Sequence, residues 1–193
     1  MKLNKIKYIS LDKFIYKSLY DKNNGYYMNK NPFGKKGDFI TSPNISILFS
    51  EIIGIWCISF WENLGCPKRI NIIEMGGGNG EMMFQIIKVF QRFDKFFKSS
   101  KCFIFEKSEF LKKIQKKKIN SFKVSWIDSL DHLKNGPNIF LANEFFDALP
   151  IKQFNKKNNI WFEKKIKISS KNNFELVDAP TTLNKLKKKI GIK

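Results

Sequence analysis

The spacing of apolar and polar positions along the chain changes near residue 70. Before that point, apolar residues recur at helical spacing after Ser10, a candidate N-cap, and again over residues 45–64. The stretch between them, 21–44, is rich in glycine, proline and asparagine but also in aromatic residues. We therefore predict an N-terminal segment of helices and loops, residues 1–66, that covers a site on the rest of the chain.

After residue 66, short apolar runs alternate with amphipathic segments. In chain order, the pattern predicts a strand at Ile70–Met75, a helix at Glu81–Phe93, a strand at Cys102–Phe105, a helix at Ser108–Lys118 and a strand at Asn138–Ala142. Such an alternation implies right-handed crossovers and a parallel sheet. We therefore predict an α/β fold, with one partial Rossmann-like domain over residues 67–193. Its tail is expected to add antiparallel strands from about residue 155 and a basic helix or frayed end at 183–193.

The composition gives the chain a formal net charge of +19 at pH 7. Only Arg69 and Arg92 are arginines, so 34 of the 36 basic residues are lysines, and Ile, Phe and Asn are also abundant. AT-rich codons specify these residue types, whereas proteins that recognise nucleic acids favour arginine for its planar hydrogen-bonding fork. We therefore attribute the charge to an AT-rich genome and expect no nucleic-acid partner.

Cysteine, histidine and hydropathy exclude further classes of protein. Three scattered cysteines and the single His132 form neither a disulfide framework nor a zinc-binding pattern, so no metal is expected. Polar residues interrupt the N-terminus, which argues against a signal peptide. The most apolar stretch, 45–61, contains Glu51 and is short for a membrane span. We predict a cytoplasmic protein without a membrane span.

A glycine-rich loop follows the first predicted strand in the sequence IIEMGGGNGE, residues 72–81. It lacks the third glycine of the dinucleotide fingerprint and the G-K-[ST] of a P-loop. The pattern Glu74-x-Gly76-x-Gly78-x-Gly80 is instead typical of S-adenosylmethionine (SAM) loops, in which glycines let the backbone approach the ligand. An acid at the strand end suits the amino group and sulfonium of SAM. The alternative is a glycine-rich turn with a solvated glutamate after a strand.

A second acid, Glu106, ends the next predicted strand. Its two oxygens could accept the hydroxyls of a ribose. Ser108 or Glu109 would take this role if the strand ends later than predicted.

The sequence NEFFDALP, residues 143–150, follows the third predicted strand and should lie at the same edge of the sheet. Glu144 and Asp147 flank two phenylalanines and could clamp a guanidinium while the rings exclude water. The alternative is a capped loop with a phenylalanine pair in the core.

The chain resembles the MidA-like methyltransferases, whose mitochondrial members serve complex I assembly. The resemblance rests on motifs that occur in order: GYYM (25–28), GDFITSPNIS (37–46), EIIGIW (51–56), IEMGGGNGEM (73–82), Glu106-x-Ser108 with Leu111 and Gln115, Trp126, and ANEFFDALPIKQF (142–154). It implies a Rossmann-like fold, SAM as cofactor and, by analogy with the mitochondrial members, symmetric dimethylation of a protein arginine.

The resemblance also implies roles for individual residues. Glu74, Gly76, Gly78 and Gly80 would hold the methionine part of SAM, Glu106 its ribose and Asp128 its adenine, while Asp38, Thr41 and Ser42 would cover it. Asn143, Glu144 and Asp147 would face the methyl-accepting group. The substrate would be a protein, such as a complex I subunit, and the chain would work in a bacterial cytoplasm or, if eukaryotic, in the mitochondrial matrix.

The chain departs from the family pattern in three respects. Asn44 replaces an acid, and Gly77 replaces a proline, which predicts a looser loop. Family members also continue well beyond the length of this chain, so we expect a C-terminal truncation and an incomplete sheet, completed by a second copy or another chain. Alternatives to an active enzyme are an inactive SAM-binding or partner-binding remnant and, less favoured, an RNA methyltransferase.

Overall fold

The computed structural model describes residues 7–34, 37–133, 136–169 and 173–182. The predicted basic helix at 183–193 lies outside them. The helices are α1 Leu11–Tyr20, α2 Tyr26–Asn29, α3 Ser42–Ile45, α4 Ile47–Asn63, α5 Glu81–Phe90, α6 Asp94–Ser99 and α7 Glu109–Lys118. The strands are β1 Lys7–Ser10, β2 Ile70–Met75, β3 Ser100–Phe105, β4 Val124–Ile127, β5 Asn138–Leu141, β6 Phe154–Lys157, β7 Ile160–Ile168 and β8 Phe174–Thr181.

Two compact units make up the chain. One consists of Tyr26–Ala148, and the other combines Met1–Gly25 with Leu149–Lys193. The predicted division between residues 66 and 67 is not one of these boundaries and stays a prediction.

The unit Tyr26–Ala148 contains a parallel sheet in the order β4-β3-β2-β5. Strand β2 is central, with Ile72 beside Cys102 on one side and Ile139 on the other. Its residues 70–74 are all buried, on both faces, as expected for an inner parallel strand. The predicted α/β fold with a parallel sheet is confirmed, while β4 is a strand that the apolar pattern did not predict.

Helices cover this sheet and form its core. Helix α4 packs closely on α5, where a Cβ at Gly54 would lie 3.2 Å from the Cβ of Val89. Helix α5 ends at Phe90, three residues before its predicted end, and α6 begins at Asp94. Helix α6 buries Phe96, whose ring packs edge-on against that of Phe90, with 4.6 Å between the ring centroids. Helix α6 lies beyond the predicted helix and was not predicted from the apolar pattern.

The second unit contains antiparallel strands, as predicted for the tail. Strand β7 pairs with β1, β6 and β8. Within it, Lys152 bonds the Asp12 carboxylate at 2.7 Å and lies 3.8 Å from the buried Glu163. The pairing of β1 with β7 was not predicted, because it joins segments far apart in sequence.

Across the described ranges of both units, no helix is long and apolar enough to cross a membrane. The three cysteines are free, and Cys57 and Cys102 are buried.

Candidate cofactor-binding site

A cleft opens at the carboxyl end of β2, within the unit Tyr26–Ala148. It encloses about 420 Å³ of space, open solvent at its mouth included. The cleft is lined by Phe33, Thr41, Pro43, Asn44, Glu74, Gly76, Gly77, Gly78, Asn79, Glu81, Met82, Asn143 and Glu144. The structure therefore brings the glycine loop, the start of the NEFFDALP segment and part of the segment before α4 to one place.

The glycine loop needs its glycines for backbone conformation. Gly76, Gly78 and Gly80 have φ values of +71°, +51° and +82°, a region that side chains disfavour. Gly80 is the N-cap of α5, and its N–H donates to the Gly77 carbonyl at 2.7 Å. A Cβ at Gly76 would lie 2.8 Å from the ring of Phe145. The loop is thus a tight turn, which presents its backbone and the start of α5 to the cleft.

Gly77 has close neighbours, and the looser loop expected from its replacement of proline stays a prediction. A Cβ at this position would lie 2.8 Å from Cγ2 of Ile104 and 3.1 Å from Nε2 of Gln115. These neighbours on β3 and α7 leave no room for a Cβ, so a residue other than glycine would require them to shift.

Glu74 is a buried acid with an unsatisfied oxygen. Glu74 is 3% exposed, and its Oε2 has no hydrogen-bond partner among the described residues. Burial, reinforced by the negative charge of Glu106, raises the pKa of Glu74 to about 8, although the Met83 amide opposes this shift. A buried acid in a cleft, with an oxygen free to accept, fits a ligand that brings an ammonium or sulfonium group.

Glu106 lies just beyond β3 and is also buried, but it does not line the cleft. One oxygen accepts from the Ser108 amide at 2.9 Å and the other from Gln115 Nε2 at 3.1 Å. Burial raises the pKa of Glu106, while these two donors oppose that shift. Of the alternatives, Ser108 caps α7, and Glu109 is exposed and paired with Lys112. Glu106 therefore stays our prediction for the ribose acid.

The NEFFDALP segment lies partly in the cleft lining and partly outside it. Asn143 and Glu144 line the cleft, and Glu144 has a φ of +49°. Asp147 lies in a 3₁₀ turn, Phe146–Ala148, and is exposed outside the cleft lining. Burial raises the pKa of the Tyr27 phenol, and the charges of Asp147 and Glu144 raise it further, so both acids act on one neighbour.

The two phenylalanines of this segment have different environments. Phe145 packs on Gly76, whereas Phe146 is 68% exposed. Phe146 is therefore not a core residue and Phe145 is only partly buried, so the two rings do not form the pair of core phenylalanines that the alternative requires.

Only one of the three predicted covering residues lines the cleft. Thr41 is buried there, and its Oγ1 accepts from Asn44 Nδ2 at 2.8 Å. Ser42 begins α3 and is half-buried outside the lining. Asp38 is exposed and is bonded by Tyr26 and Lys30.

Asp128, the candidate for the adenine, has a side chain that is 69% exposed and lies 3.8 Å from His132. The structure does not place it in the cleft lining.

Sequence reasoning missed two polar contacts around the loop. Asn79 Nδ2 donates to Asn44 Oδ1 at 2.7 Å, which ties the loop to α3. Gln115 Nε2 donates to the Gly78 carbonyl at 2.9 Å. Asn79 lies within the loop motif, and Gln115 is among the residues that carry the family resemblance, but neither contact follows from the local pattern.

Comparisons with known proteins identify the family of the chain. A family model described as "Putative S-adenosyl-L-methionine-dependent methyltransferase" matches residues 52–192. The chain belongs to this family, which confirms the family and the cofactor predicted from the glycine loop. The mitochondrial protein arginine methyltransferase NDUFAF7 of Xenopus laevis is 33% identical over 171 residues, covering 76% of this chain and 39% of that protein. Its human counterpart is 33% identical over 163 residues, covering 72% and 37%.

A crystal structure shares the fold. It is that of a COG1565 superfamily member from Burkholderia thailandensis bound to S-adenosyl-homocysteine (SAH), with a TM-score of 0.76 and 20% identity. The alignment covers 95% of this chain and 49% of that one. The chain thus spans less than half the length of these relatives.

Proposed function

We propose that this chain binds SAM in the cleft beside β2 and transfers the methyl group to an arginine side chain of a protein, such as a subunit of respiratory complex I, giving symmetric dimethylation. The observation that carries the proposal is the meeting of the glycine loop, the buried Glu74 and the start of NEFFDALP in one cleft. Family membership and the names of the NDUFAF7 relatives support it.

The residues of the cleft fit SAM. Glu74, with its free buried oxygen, would pair with the amino group of the methionine part, and the cation would stabilise its ionised form. The turn at Gly76, Gly78 and Gly80 would let the backbone approach the ligand. Glu106 would accept the ribose hydroxyls with the lone pairs that Ser108 and Gln115 leave free.

The acceptor side of the site would consist of Asn143, Glu144 and Asp147. A carboxylate can hold a guanidinium through two parallel hydrogen bonds, which also fixes its orientation. Glu144 lies in the cleft lining, so it is the better placed of the two acids to do this. The exposed Asp147 would meet the substrate chain outside the cleft.

SAM supplies an electrophilic methyl group, so the protein need not form a covalent intermediate. The residues of this chain act mainly by positioning, because holding two reactants in line converts a bimolecular step into an effectively unimolecular one. Glu144 would orient the guanidinium nitrogen towards the cleft and pair its positive charge, while the proton that this nitrogen loses on methylation would pass to water.

Two measurements test this function. Calorimetric titration with SAH reports cofactor binding, and transfer of a labelled methyl group from SAM to the matching complex I subunit reports turnover. We expect Glu144→Gln to lower transfer at least tenfold with little change in SAH affinity, whereas Glu62→Gln, an exposed acid on α4, should change neither. Failure of the wild-type chain to bind SAM or SAH would refute the proposal.

A second candidate function is SAM binding without turnover, and the position of Asp147 outside the cleft lining favours it. Under this alternative, the protein binds SAH but transfers no label to any of the proteins tested.

Assembly and location are part of the proposal. We expect a homo-oligomer or a completing partner chain, and a bacterial cytoplasm or a mitochondrial matrix; the relatives NDUFAF7 are named as mitochondrial. Sedimentation of the purified chain would reveal the oligomer.

A further inference from the structure

Gln115 is a fully buried polar side chain on the lysine-rich helix α7. Its Nε2 donates to the Gly78 carbonyl at 2.9 Å and to the Glu106 carboxylate at 3.1 Å. Its Oε1 accepts from the Trp126 indole at 2.8 Å. A single amide therefore joins the glycine loop, the acid after β3 and strand β4.

The loop also rests on this side chain. A Cβ at Gly77 would lie 3.1 Å from Gln115 Nε2, and one at Gly80 would lie 3.3 Å from the Gln115 Cα. Both N–H groups of the amide are used, and its oxygen is bonded as well, so the buried network is satisfied. Such a network favours one arrangement of its members, because any other leaves a buried polar group unpaired.

An apolar core residue could not make these hydrogen bonds. A leucine at position 115 would fill much of the same space but would leave the Gly78 carbonyl, one Glu106 oxygen and the Trp126 indole without this partner. Gln85 on α5 provides a comparison, because it is also buried but bonds only to Glu81 among the contacts seen.

We propose that Gln115 is a positioning residue for the cofactor: its amide sets the distance between the glycine loop and the Glu106 carboxylate and keeps that carboxylate able to accept the ribose. The proposal rests on the function proposed above, in which SAM occupies the cleft. Gln115 itself need not touch the cofactor.

Because Gln115 is one of the groups that shift the pKa of Glu106, its role can be tested by measuring how SAH binding depends on pH. The Glu106 carboxyl is under the influence of the Glu74 carboxyl on β2 and the Lys112 ammonium on α7, and Asp128 after β4 is largely exposed. Burial raises the pKa of Glu106, and the hydrogen bond from Gln115 lowers it. Loss of that bond should therefore raise the pKa further, so that the acid protonates at a higher pH.

The first experiment needs no ligand. Amide hydrogen exchange is measured at Gly76 and Gly80, whose N–H groups bond to the carbonyls of Phe105 and Gly77. We expect Gln115→Leu to speed exchange at both amides about tenfold, equivalent to about 1.4 kcal/mol, while Gln85→Met leaves them unchanged. If Gln115→Leu does not fold, Gln115→Met replaces it.

The second experiment follows SAH affinity from about pH 5 to about pH 8. We expect Gln115→Leu to bind SAH about tenfold more weakly at neutral pH and to lose its affinity at a higher pH than the wild type. Trp126→Phe keeps the donor to Glu106 and should keep the wild-type midpoint.

The outcomes separate the two proposals. If the wild type does not bind SAH, the proposed function fails, and the exchange experiment alone decides whether Gln115 holds the loop. Unchanged exchange at Gly76 and Gly80 would overturn the proposal. So would an SAH affinity in Gln115→Leu that is lowered equally at every pH, since that is the result of a merely structural role.

Discussion

Because the Glu74 carboxyl is buried and its pKa is raised, we predict that the free energy of unfolding depends on pH. The folded protein holds this group with a pKa of about 8, against an ordinary value of 4.5. Replacement by glutamine, which has nearly the same shape but cannot ionise, should remove the dependence. The perturbation to study is therefore Glu74→Gln in the protein without SAM.

The sign and size of the effect follow from proton binding. Between pH 4.5 and about 8, the unfolded chain has released the Glu74 proton but the folded protein retains it, so stability falls as pH rises. The stabilising contribution is fully present below pH 4.5 and is lost as pH rises through 8. Each pH unit corresponds to about 1.4 kcal/mol. Over two pH units within this window, the wild type should lose about 3 kcal/mol relative to Glu74→Gln.

Urea unfolding followed by tryptophan fluorescence measures this difference. The wild type, Glu74→Gln and Glu62→Gln are compared at about pH 5.5, 6.5 and 7.5. The first two should differ least at the lowest pH, one unit above 4.5, where ionisation of the unfolded chain has cost the wild type about 1.4 kcal/mol. They should diverge as pH rises, while Glu62→Gln, an exposed acid on α4, follows the wild type.

A constant difference between the wild type and Glu74→Gln would refute the reasoning. It would mean that Glu74 is ionised throughout this range and has a partner other than the Met83 amide that already opposes its raised pKa. Glu106 is present in both proteins, so its own titration cancels apart from its coupling to Glu74.

Three further predictions concern the loop and its ligand. SAM binding near pH 7 should release up to one proton, because the cation ionises Glu74; calorimetry in buffers of different ionisation enthalpy measures this, and release that persists in Glu74→Gln would contradict it. Gly76→Ala should cost more unfolding free energy than Gly65→Ala, since both have φ above +70° but only the first places a Cβ 2.8 Å from Phe145; urea unfolding that gives equal losses would contradict the clash. Asn79→Ala should weaken SAH binding by about 1 kcal/mol in calorimetric titration, because it removes the 2.7 Å bond between the loop and α3; an unchanged affinity would show that this bond does not order the site.

Local patterns predicted much of the unit that holds the site. Strand β2 begins and ends where its apolar run does, because a run bounded by Arg69 and the glycines can bury both faces only inside a sheet. Helix α7 begins after Ser108, whose hydroxyl accepts from the Leu111 amide as an N-cap should.

The sequence by itself therefore determined the class of fold, the cofactor and the family, because these depend on short-range periodicity and on short motifs that follow one another along the chain. Tertiary structure decided which acids share a cleft: it placed Glu74 and Glu144 in one lining and left Asp38 and Asp128 outside that lining. It also decided that Gln115 bonds the loop, since that contact joins positions 37 residues apart. Burial and hydrogen-bond partners arise only when distant segments pack, so the pKa of Glu74 and the role of Gln115 could not be read from local pattern.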